Sequence, residues 1–254
     1  MGPSVTVDFL RIDGLRKSFG GIHALQGVSF TLDAAGIKCI VGPNGCGKST
    51  LFNVLTGVLT PSAGTATLAG RRISGLSAHK VSRMGVGRKF QVPGVLSDLT
   101  VMEHMEIALA ARATGGKVWQ TLRWRGNRAE ALAMLGDAGL ADYGDKAASQ
   151  LPHGIKQRLE ILMLVARGMK LLLLDEPTAG MTATETQATI DLIRRINETT
   201  GAAILVIEHD MTFVRSLACP LIVMMRGEVL REGSYDEVRA DPHVRAAYLG
   251  DRHA

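Results

Sequence analysis

One segment constrains the fold of this chain more than any other feature of its sequence. Residues 42–50 read Gly-Pro-Asn-Gly-Cys-Gly-Lys-Ser-Thr and match the pattern G-x-x-x-x-G-K-[ST]. The apolar run at 37–41 predicts a buried strand directly before it, and a helix is expected from Lys48 to about Gly57. A glycine-rich turn between a strand and a helix offers inward-turned N–H groups and a positive helix end to phosphate. The segment therefore predicts a phosphate-binding loop in an α/β fold.

The residues of this loop predict ATP and Mg²⁺ as the bound cofactors. Lys48 can reach the β- and γ-phosphates of a nucleotide, and the Ser49 hydroxyl can coordinate Mg²⁺. The glycines let the backbone turn around the β-phosphate. We expect the nucleotide-binding set of the loop to be Gly42, Pro43, Asn44, Gly45, Cys46, Gly47, Lys48, Ser49 and Thr50.

Cysteine usage adds one chemical expectation. The chain has three cysteines, and their spacing predicts neither a disulfide framework nor a zinc site. Cys46 lies in the phosphate loop, just before a helix N-terminus and beside Lys48. Because such a setting lowers the pKa of a thiol, we expect Cys46 to react faster than Cys39, which the pattern places in a buried strand.

A second acidic site follows another apolar run. Residues 171–174 are four leucines and predict a buried strand that ends in Asp175 and Glu176. Successive side chains of a strand point to opposite faces, so the two acids can have different roles. Asp175 can bind Mg²⁺ through water, and Glu176 can polarise the water that attacks the γ-phosphate.

Strand and helix patterns alternate along most of the chain. Further short strands are predicted at 10–15, 28–32, 65–68 and 203–207. Ile190, Ile193 and Ile196 recur at helical spacing before the last of these strands. Strands that alternate with helices predict a parallel sheet with helices on its faces. Residues 92–158 carry alanine-rich helical patterns instead, so we expect a helical insertion there, within a single domain that covers 1–254.

Composition excludes two classes of partner or attachment. Aromatic residues make up only 4% of the chain, which argues against a stacking platform for nucleic acid, so we expect no nucleic-acid partner. The most apolar stretch, 161–174, is interrupted by Arg167 and Lys170 and is too short to span a bilayer. The first residues show no pattern of a secretion signal. We therefore expect any membrane attachment to come through partner subunits.

Three segments together resemble the ATPases of ABC transporters. They are 40–50, 171–177 and the sequence Ile207-Glu208-His209-Asp210. The resemblance covers nearly the whole chain. It implies a P-loop core of parallel sheet and helices, an antiparallel β-subdomain and an inserted helical subdomain.

The resemblance also implies roles for individual residues. Phe19 matches the aromatic residue that stacks on adenine, and Gln91 matches the glutamine that ligates Mg²⁺ and links the core to the helical subdomain. His209 matches the switch histidine that contacts the γ-phosphate. With Lys48 and Glu176, His209 completes the expected catalytic set, and the expected metal ligands are Ser49, Gln91 and Asp175.

The signature segment departs from the family pattern. Members usually carry L-S-G-G-Q at the start of a helix, whereas this chain has Leu-Pro-His-Gly-Ile at 151–155. Pro152 offers neither a hydroxyl nor an N–H group. The remaining donors that could meet a γ-phosphate held by an opposite subunit are the His153 side chain and the Gly154 N–H.

Within the family, two groups of importers are similar to this chain. The sequence Ala-Gly-Met at 179–181 and the tail at 235–250 resemble ATPases of the branched-chain amino acid type. Residues 87–91, His153 and 208–216 favour the urea-importer branch. The resemblance thus implies the motor of an importer of urea or a related short amide. Two alternatives stay open: an importer of branched-chain or hydrophobic amino acids, and a nucleotide-gated subunit of low turnover, suggested by the altered signature.

The resemblance implies several partners. We expect a second ATPase subunit, identical or different, two transmembrane permease subunits and an external solute-binding protein. The chain would then lie on the cytoplasmic face of the inner membrane, held there by the permeases. An ABC-type DNA-maintenance ATPase would need a much longer coiled-coil insertion. A P-loop small-molecule kinase would not need Gln91, the signature segment and His209 together.

Overall fold

The computed structural model describes residues 8–89, 94–115 and 128–246. Its strands are β1 Asp8–Phe19, β2 Ile22–Asp33, β3 Ile37–Val41, β4 Ala63–Leu68, β5 Arg71–Arg72, β6 Val86–Lys89, β7 Leu171–Asp175, β8 Ala203–Ile207, β9 Leu221–Met225 and β10 Glu228–Gly233. Its helices are α1 Lys48–Leu55, α2 Ala78–Arg83, α3 Val101–Thr114, α4 Arg128–Asp137, α5 His153–Ala166, α6 Ala183–Thr200, α7 Met211–Leu217, α8 Tyr235–Ala240 and α9 Pro242–Val244.

The larger sheet contains six strands in the order β10-β9-β3-β8-β7-β6. The pairs from β9 to β6 are parallel, and β10 adds an antiparallel edge through its pairing with β9. Every residue of β7 and β8 is buried, as expected for parallel strands covered on both faces. The predicted parallel sheet with helices is confirmed. The carboxyl ends of β3, β7 and β8 meet at one edge, where the predicted site residues lie.

A second, four-stranded sheet has the order β2-β1-β4-β5 and is antiparallel throughout. It corresponds to the antiparallel β-subdomain that the family resemblance implies, so the expected fold class is confirmed. Within 92–158, the described residues form α3, α4, two short 3₁₀ turns and the start of α5. The boundaries 92–158 for an inserted subdomain stay a prediction.

Two apolar cores hold these layers together. One lies between the two sheets and encloses α1, whose Leu51, Phe52 and Leu55 are fully buried. The other lies on the opposite face of the large sheet, against α3 to α7. Among the described residues, none of the helices has both the length and the apolar character that crossing a bilayer requires.

Side-chain alternation decides which core each residue of the central strands enters. In β7, Leu171 and Leu173 face the core around α1, whereas Leu172 and Leu174 face the helices on the other side. Asp175 continues this alternation and therefore lies on the α1 face. On the neighbouring strand β6, Val86 also belongs to the core around α1, so Arg88 shares that face.

Candidate nucleotide-binding site

The phosphate loop is shaped by close contacts that only glycine allows. A Cβ atom at Gly42 would lie 2.2 Å from the carbonyl oxygen of Met224. One at Gly47 would lie 2.5 Å from the carbonyl oxygen of Ala24, and Gly47 has φ 105° at the N-cap of α1. These contacts press the loop against β9 and β2, so its backbone path is fixed by the surrounding fold.

Lys48 begins α1 and is almost entirely buried. Its Nζ donates to the carbonyl oxygens of Gly42 at 2.7 Å and Pro43 at 2.9 Å. The ammonium group is therefore held across the loop, beneath the space that the loop encloses. An ammonium group has three donors, which suits it to exchange these carbonyls for phosphate oxygens.

The loop opens onto a cavity of about 230 Å³ that is also lined by residues from three distant segments. Its lining consists of Ala24, Asn44, Gly45, Gly47, Lys48, Ser49, Thr50, Glu176 and His209. The structure thus brings together the predicted loop, the predicted acid and the predicted histidine. Most of the predicted nucleotide-binding residues of the loop lie in this lining.

Glu176 and His209 contact each other in the lining of this cavity. His209 Nε2 lies 2.6 Å from Glu176 Oε1, and both side chains are partly exposed. Glu176 has φ 46°, a left-handed conformation that costs a residue with a side chain roughly 1–2 kcal/mol. Its backbone N–H donates to the Ile207 carbonyl at 3.0 Å, which holds the turn. The strained turn takes Glu176 out of the line of β7 and directs it to the cavity.

Glu208 supports the site from behind His209, a role that its place in the sequence did not indicate. It is buried, and its Oε1 accepts hydrogen bonds from Thr178 N at 3.2 Å and Thr178 Oγ1 at 2.7 Å. Its Oε2 accepts from His209 N at 3.2 Å. Burial raises the pKa of Glu208, although the Thr178 hydrogen bonds oppose the shift. Glu208 therefore ties the loop after β7 to the histidine after β8.

Asp175 is buried at the end of β7 and has two unlike oxygens. Oδ2 accepts a hydrogen bond from Arg88 Nη2 at 2.7 Å, whereas Oδ1 is buried and has no hydrogen-bond partner among the described residues. A carboxylate oxygen left free in this way, together with the Ser49 hydroxyl in the cavity, matches the oxygen ligands that Mg²⁺ prefers. Among the described residues, no group of three or more His, Cys, Asp or Glu side chains could hold a metal ion. A metal here would therefore need further ligands, such as hydroxyls or nucleotide oxygens.

Phe19 and Asp175 are predicted ligands that do not line this cavity. Gln91 falls outside the described residues. Phe19 ends β1, is 45% exposed, and lies 5.0 Å (ring centroid) from Lys17 Nζ. Its exposed ring is available to a base, and its adenine-stacking role stays a prediction.

The signature segment lies on the first turn of α5, with Pro152 at the N-cap. His153 Nε2 lies 3.1 Å from the Ala179 carbonyl oxygen and 3.2 Å from Gln157 Nε2. Gly154 is packed so closely against α6 that a Cβ there would lie 2.7 Å from Glu185 Oε1. None of the three lines the cavity of the same chain, and the contact of His153 and Gly154 with the nucleotide of a second subunit stays a prediction.

The expectation for Cys46 is wrong in its direction. The thiol is 4% exposed, and burial raises the pKa of Cys46 even though Lys48 acts to lower it. Proximity in sequence to a helix N-terminus and a lysine indicated activation, but burial of Cys46 in the core around α1 outweighs the effect of Lys48 on its pKa. Cys39 is fully buried in β3, as predicted, with its Sγ 3.4 Å from that of Cys219.

Comparison with known proteins gives two family matches and several sequence relatives. The family described as ABC transporter matches residues 25–179, and the family described as branched-chain amino acid ATP-binding cassette transporter matches residues 228–254. The high-affinity branched-chain amino acid transport ATP-binding protein LivG of Salmonella typhimurium is 36% identical over 249 residues, covering 95% of this chain and 98% of LivG. BraF of Pseudomonas aeruginosa, with the same description, is 34% identical over 250 residues, at 95% and 98% coverage.

Solved structures agree with these sequence relatives. The crystal structure of the ADP conformation of MJ1267, an ATP-binding cassette of an ABC transporter, has a TM-score of 0.83 and 28% identity. It covers 96% of this chain and 100% of MJ1267. The dimeric, post-hydrolysis structure of the ATP-binding cassette MJ0796 bound to ADP and Pi has a TM-score of 0.73 and 25% identity, at 89% and 98% coverage.

These findings distinguish between the two importer hypotheses, urea and branched-chain amino acids. The relatives named above are described as branched-chain amino acid transport proteins, and the preference for urea finds no support in them. The amino acid alternative fits better. The family match and the sequence relatives, together with a phosphate loop that faces Glu176 and His209, show that this chain belongs to the ABC transporter family as one of its ATPases.

Proposed function

We propose that this chain is the ATP-hydrolysing subunit of an importer of branched-chain or other hydrophobic amino acids. The observation that carries the ATPase part is the meeting of Glu176 and His209, 2.6 Å apart, at the mouth of the phosphate loop. The observation that supports the cargo is the similarity to LivG and BraF over 95% of the chain.

In the proposed reaction, the chain binds ATP along the loop and directs water at the γ-phosphate. The loop N–H groups and Lys48 would hold the β- and γ-phosphates at the N-terminus of α1. Glu176 would accept a proton from the attacking water, while His209 holds the carboxylate in place and contacts the γ-phosphate. Glu176 and His209 already contact each other before nucleotide arrives, so this pair needs little reorganisation at the moment of reaction.

Mg²⁺ is the metal that the site fits. Ser49 and Asp175 would hold it, with Gln91 as a further ligand proposed from the family resemblance. Bound there, Mg²⁺ would neutralise charge on the β- and γ-phosphate oxygens during phosphoryl transfer.

The working unit is proposed to be a pair of ATPase subunits on permeases. ATPases of this family work as dimers with transmembrane permease subunits, and the MJ0796 cassette is described as dimeric. The signature segment 151–155 would face the nucleotide of the opposite subunit. An external solute-binding protein would deliver the cargo, and the permeases would hold this chain at the cytoplasmic face of the inner membrane.

A reconstitution experiment tests the function and the cargo together. The chain is assembled with its permeases, second ATPase and solute-binding protein in vesicles, and phosphate release is measured with leucine, urea or no solute. We expect leucine to stimulate hydrolysis and to be taken up with it. Stimulation by urea alone would reverse the choice of cargo, and negligible phosphate release under all conditions would favour the low-turnover, nucleotide-gated reading.

A further inference from the structure

We propose that Arg88 is the positioning residue for the metal site, because it holds Asp175 and the Ser49-bearing helix at a fixed separation. This inference rests on the proposed Mg²⁺-dependent function. Arg88 lies on β6, and the sequence analysis assigned it no role of its own in the site. Its side chain and that of Asp175 are 8% and 2% exposed, so their ion pair is shielded from water.

The guanidinium group connects two elements that the sequence keeps far apart. Nη2 donates to Asp175 Oδ2 at 2.7 Å, and Nη1 donates to Asn53 Oδ1 at 2.6 Å. The group also lies over the Phe52 ring, 5.6 Å from its centroid. One planar fork thus joins β7 to α1 and is itself held by an aromatic face.

Both ends of this bridge lead to proposed metal ligands. Asn53 follows Ser49 by one helical turn, so the two side chains lie on the same face of α1. At the other end, Arg88 occupies one oxygen of Asp175 and leaves Oδ1 without a partner among the described residues. The carboxylate therefore cannot rotate without breaking a buried, charged hydrogen bond. Its free oxygen is presented in one orientation relative to Ser49.

Charge and geometry give opposite expectations for removing this bridge, which makes the proposal testable. A positive charge beside a metal site opposes cation binding. If Arg88 acted through its charge alone, its presence would weaken Mg²⁺ binding. A positioning residue strengthens Mg²⁺ binding by orienting the ligands. Lysine at 88 keeps the charge but is a single point donor that cannot form the same two-armed bridge.

The test measures how Mg²⁺ strengthens binding of the non-hydrolysable analogue β,γ-imido-ATP to the full chain, by calorimetry in EDTA and at rising Mg²⁺. For Arg88→Lys we expect the half-maximal Mg²⁺ concentration to rise about tenfold or more, the range typical of lost outer-sphere partners. Affinity in EDTA should stay at the wild-type value. Arg194→Lys is the matched control, because Arg194 is also partly buried but donates to the Ser216 carbonyl, away from the cavity.

Several outcomes overturn the proposal. An unchanged or lower Mg²⁺ requirement in Arg88→Lys would show that the bridge does not position the metal ligands. A parallel loss of affinity in EDTA would show a general structural role instead. If Arg88→Lys does not fold, Asn53→Ala removes one arm alone and should raise the Mg²⁺ requirement in the same direction, by a smaller factor; no rise would overturn the proposal. Absence of any Mg²⁺ effect on the wild-type chain would instead contradict the proposed metal site itself.

Discussion

At the scale of single residues, the site depends on side chains whose surroundings differ from their sequence neighbours. Glu176 and Asp175 are adjacent, yet Asp175 is buried against Arg88 while Glu176 reaches the cavity. The strained φ of Glu176 separates them, and the hydrogen bond from its N–H to Ile207 maintains it. Strain of this kind persists when the surrounding structure over-determines the backbone, as it does here.

The Glu176→Gln substitution tests the division of labour between acid and loop. In the assembled transporter we expect it to leave ATP binding intact and to lower hydrolysis at this chain's own site by roughly 10²- to 10⁴-fold, the usual worth of a general base. Lys48→Ala should weaken both binding and hydrolysis. Nucleotide affinity and phosphate release are measured in parallel, with Glu198→Gln on the exposed face of α6 as the control. Near-normal turnover by Glu176→Gln would remove Glu176 from its role.

Thiol labelling tests the corrected reading of Cys46. Because burial raises its pKa, we expect native Cys46 to react slowly with iodoacetamide at neutral pH and faster as the pH rises. Cys39, fully buried in β3, should stay unlabelled throughout. Mass spectrometry after brief labelling reads each site, and the denatured chain, in which all thiols are exposed, sets the reference. Fast labelling of native Cys46 at neutral pH would contradict the burial argument.

At the scale of elements, His209 is held in place by the two residues that flank it. Glu208, before it, ties β8 to the loop after β7 through Thr178. Asp210, after it, is the N-cap of α7 and accepts a hydrogen bond from Thr212 N at 2.7 Å. His209 therefore stands between a buried anchor and a helix cap, which limits its backbone to one path.

The buried anchor Glu208 predicts a specific dependence of stability on pH. Burial raises its pKa, so the folded state binds a proton more tightly than the unfolded state. The stability that this group contributes is therefore fully present below the ordinary pKa of about 4.3 and is lost as the pH rises through the raised pKa. The loss amounts to about 1.4 kcal/mol for each pH unit that separates the folded and unfolded pKa values. Glu208→Gln should remove this loss, so the free energy of unfolding of the variant should rise relative to that of the wild type as the pH rises.

Denaturant unfolding of both proteins across this pH range measures that difference. Glu185 supplies the control, because its pKa is shifted in the opposite direction. Burial raises the pKa of Glu208, whereas hydrogen bonds from Thr182 lower the pKa of Glu185. Glu185→Gln should therefore show the opposite trend with pH. A constant gap between wild type and Glu208→Gln would contradict the prediction.

At the scale of the whole molecule, the altered signature segment predicts unequal sites in a dimer. Pro152 lacks the hydroxyl and the N–H that serine would offer, and His153 is already engaged with Ala179 and Gln157. Each lost charge-assisted hydrogen bond to a γ-phosphate should cost about 1.5–3 kcal/mol. In a pair with a second ATPase whose signature segment is intact, this chain's phosphate loop would face that intact segment, and ATP bound there would be hydrolysed fast. The partner's phosphate loop would face residues 151–155, and ATP bound there would be hydrolysed slowly.

Disabling the two catalytic acids one at a time tests this asymmetry in the reconstituted complex. Loss of Glu176 should abolish most turnover, whereas loss of the partner's equivalent glutamate should matter less. Equal losses, or robust hydrolysis by this chain alone, would rule out the asymmetry.

The sequence by itself determined the parts of this protein that depend on local spacing. A strand, a glycine-rich turn and a helix follow one another within 37–55, so the phosphate loop and its placement were predictable from residue order. The acidic pair after four leucines was predictable for the same reason. Strands β5, β6, β9 and β10 were not predicted. β5 consists of two arginines, β6 carries Arg88 and Lys89, and β10 is a largely exposed edge strand, so these three show no buried-strand pattern. The apolar run of β9 does show such a pattern and was missed.

Only the tertiary structure decided which residues meet across the sheets. Arg88 reaches Asp175 because β6 and β7 are parallel neighbours and both side chains fall on the α1 face, a fact of register and alternation that a sequence separation of 87 residues conceals. Cys46 is shielded because it packs into the core around α1, so burial outweighs the effect of the lysine on its pKa. Residue order specifies the chemistry that each segment carries. Burial and partners, which set pKa and orientation, arise only when distant segments pack together.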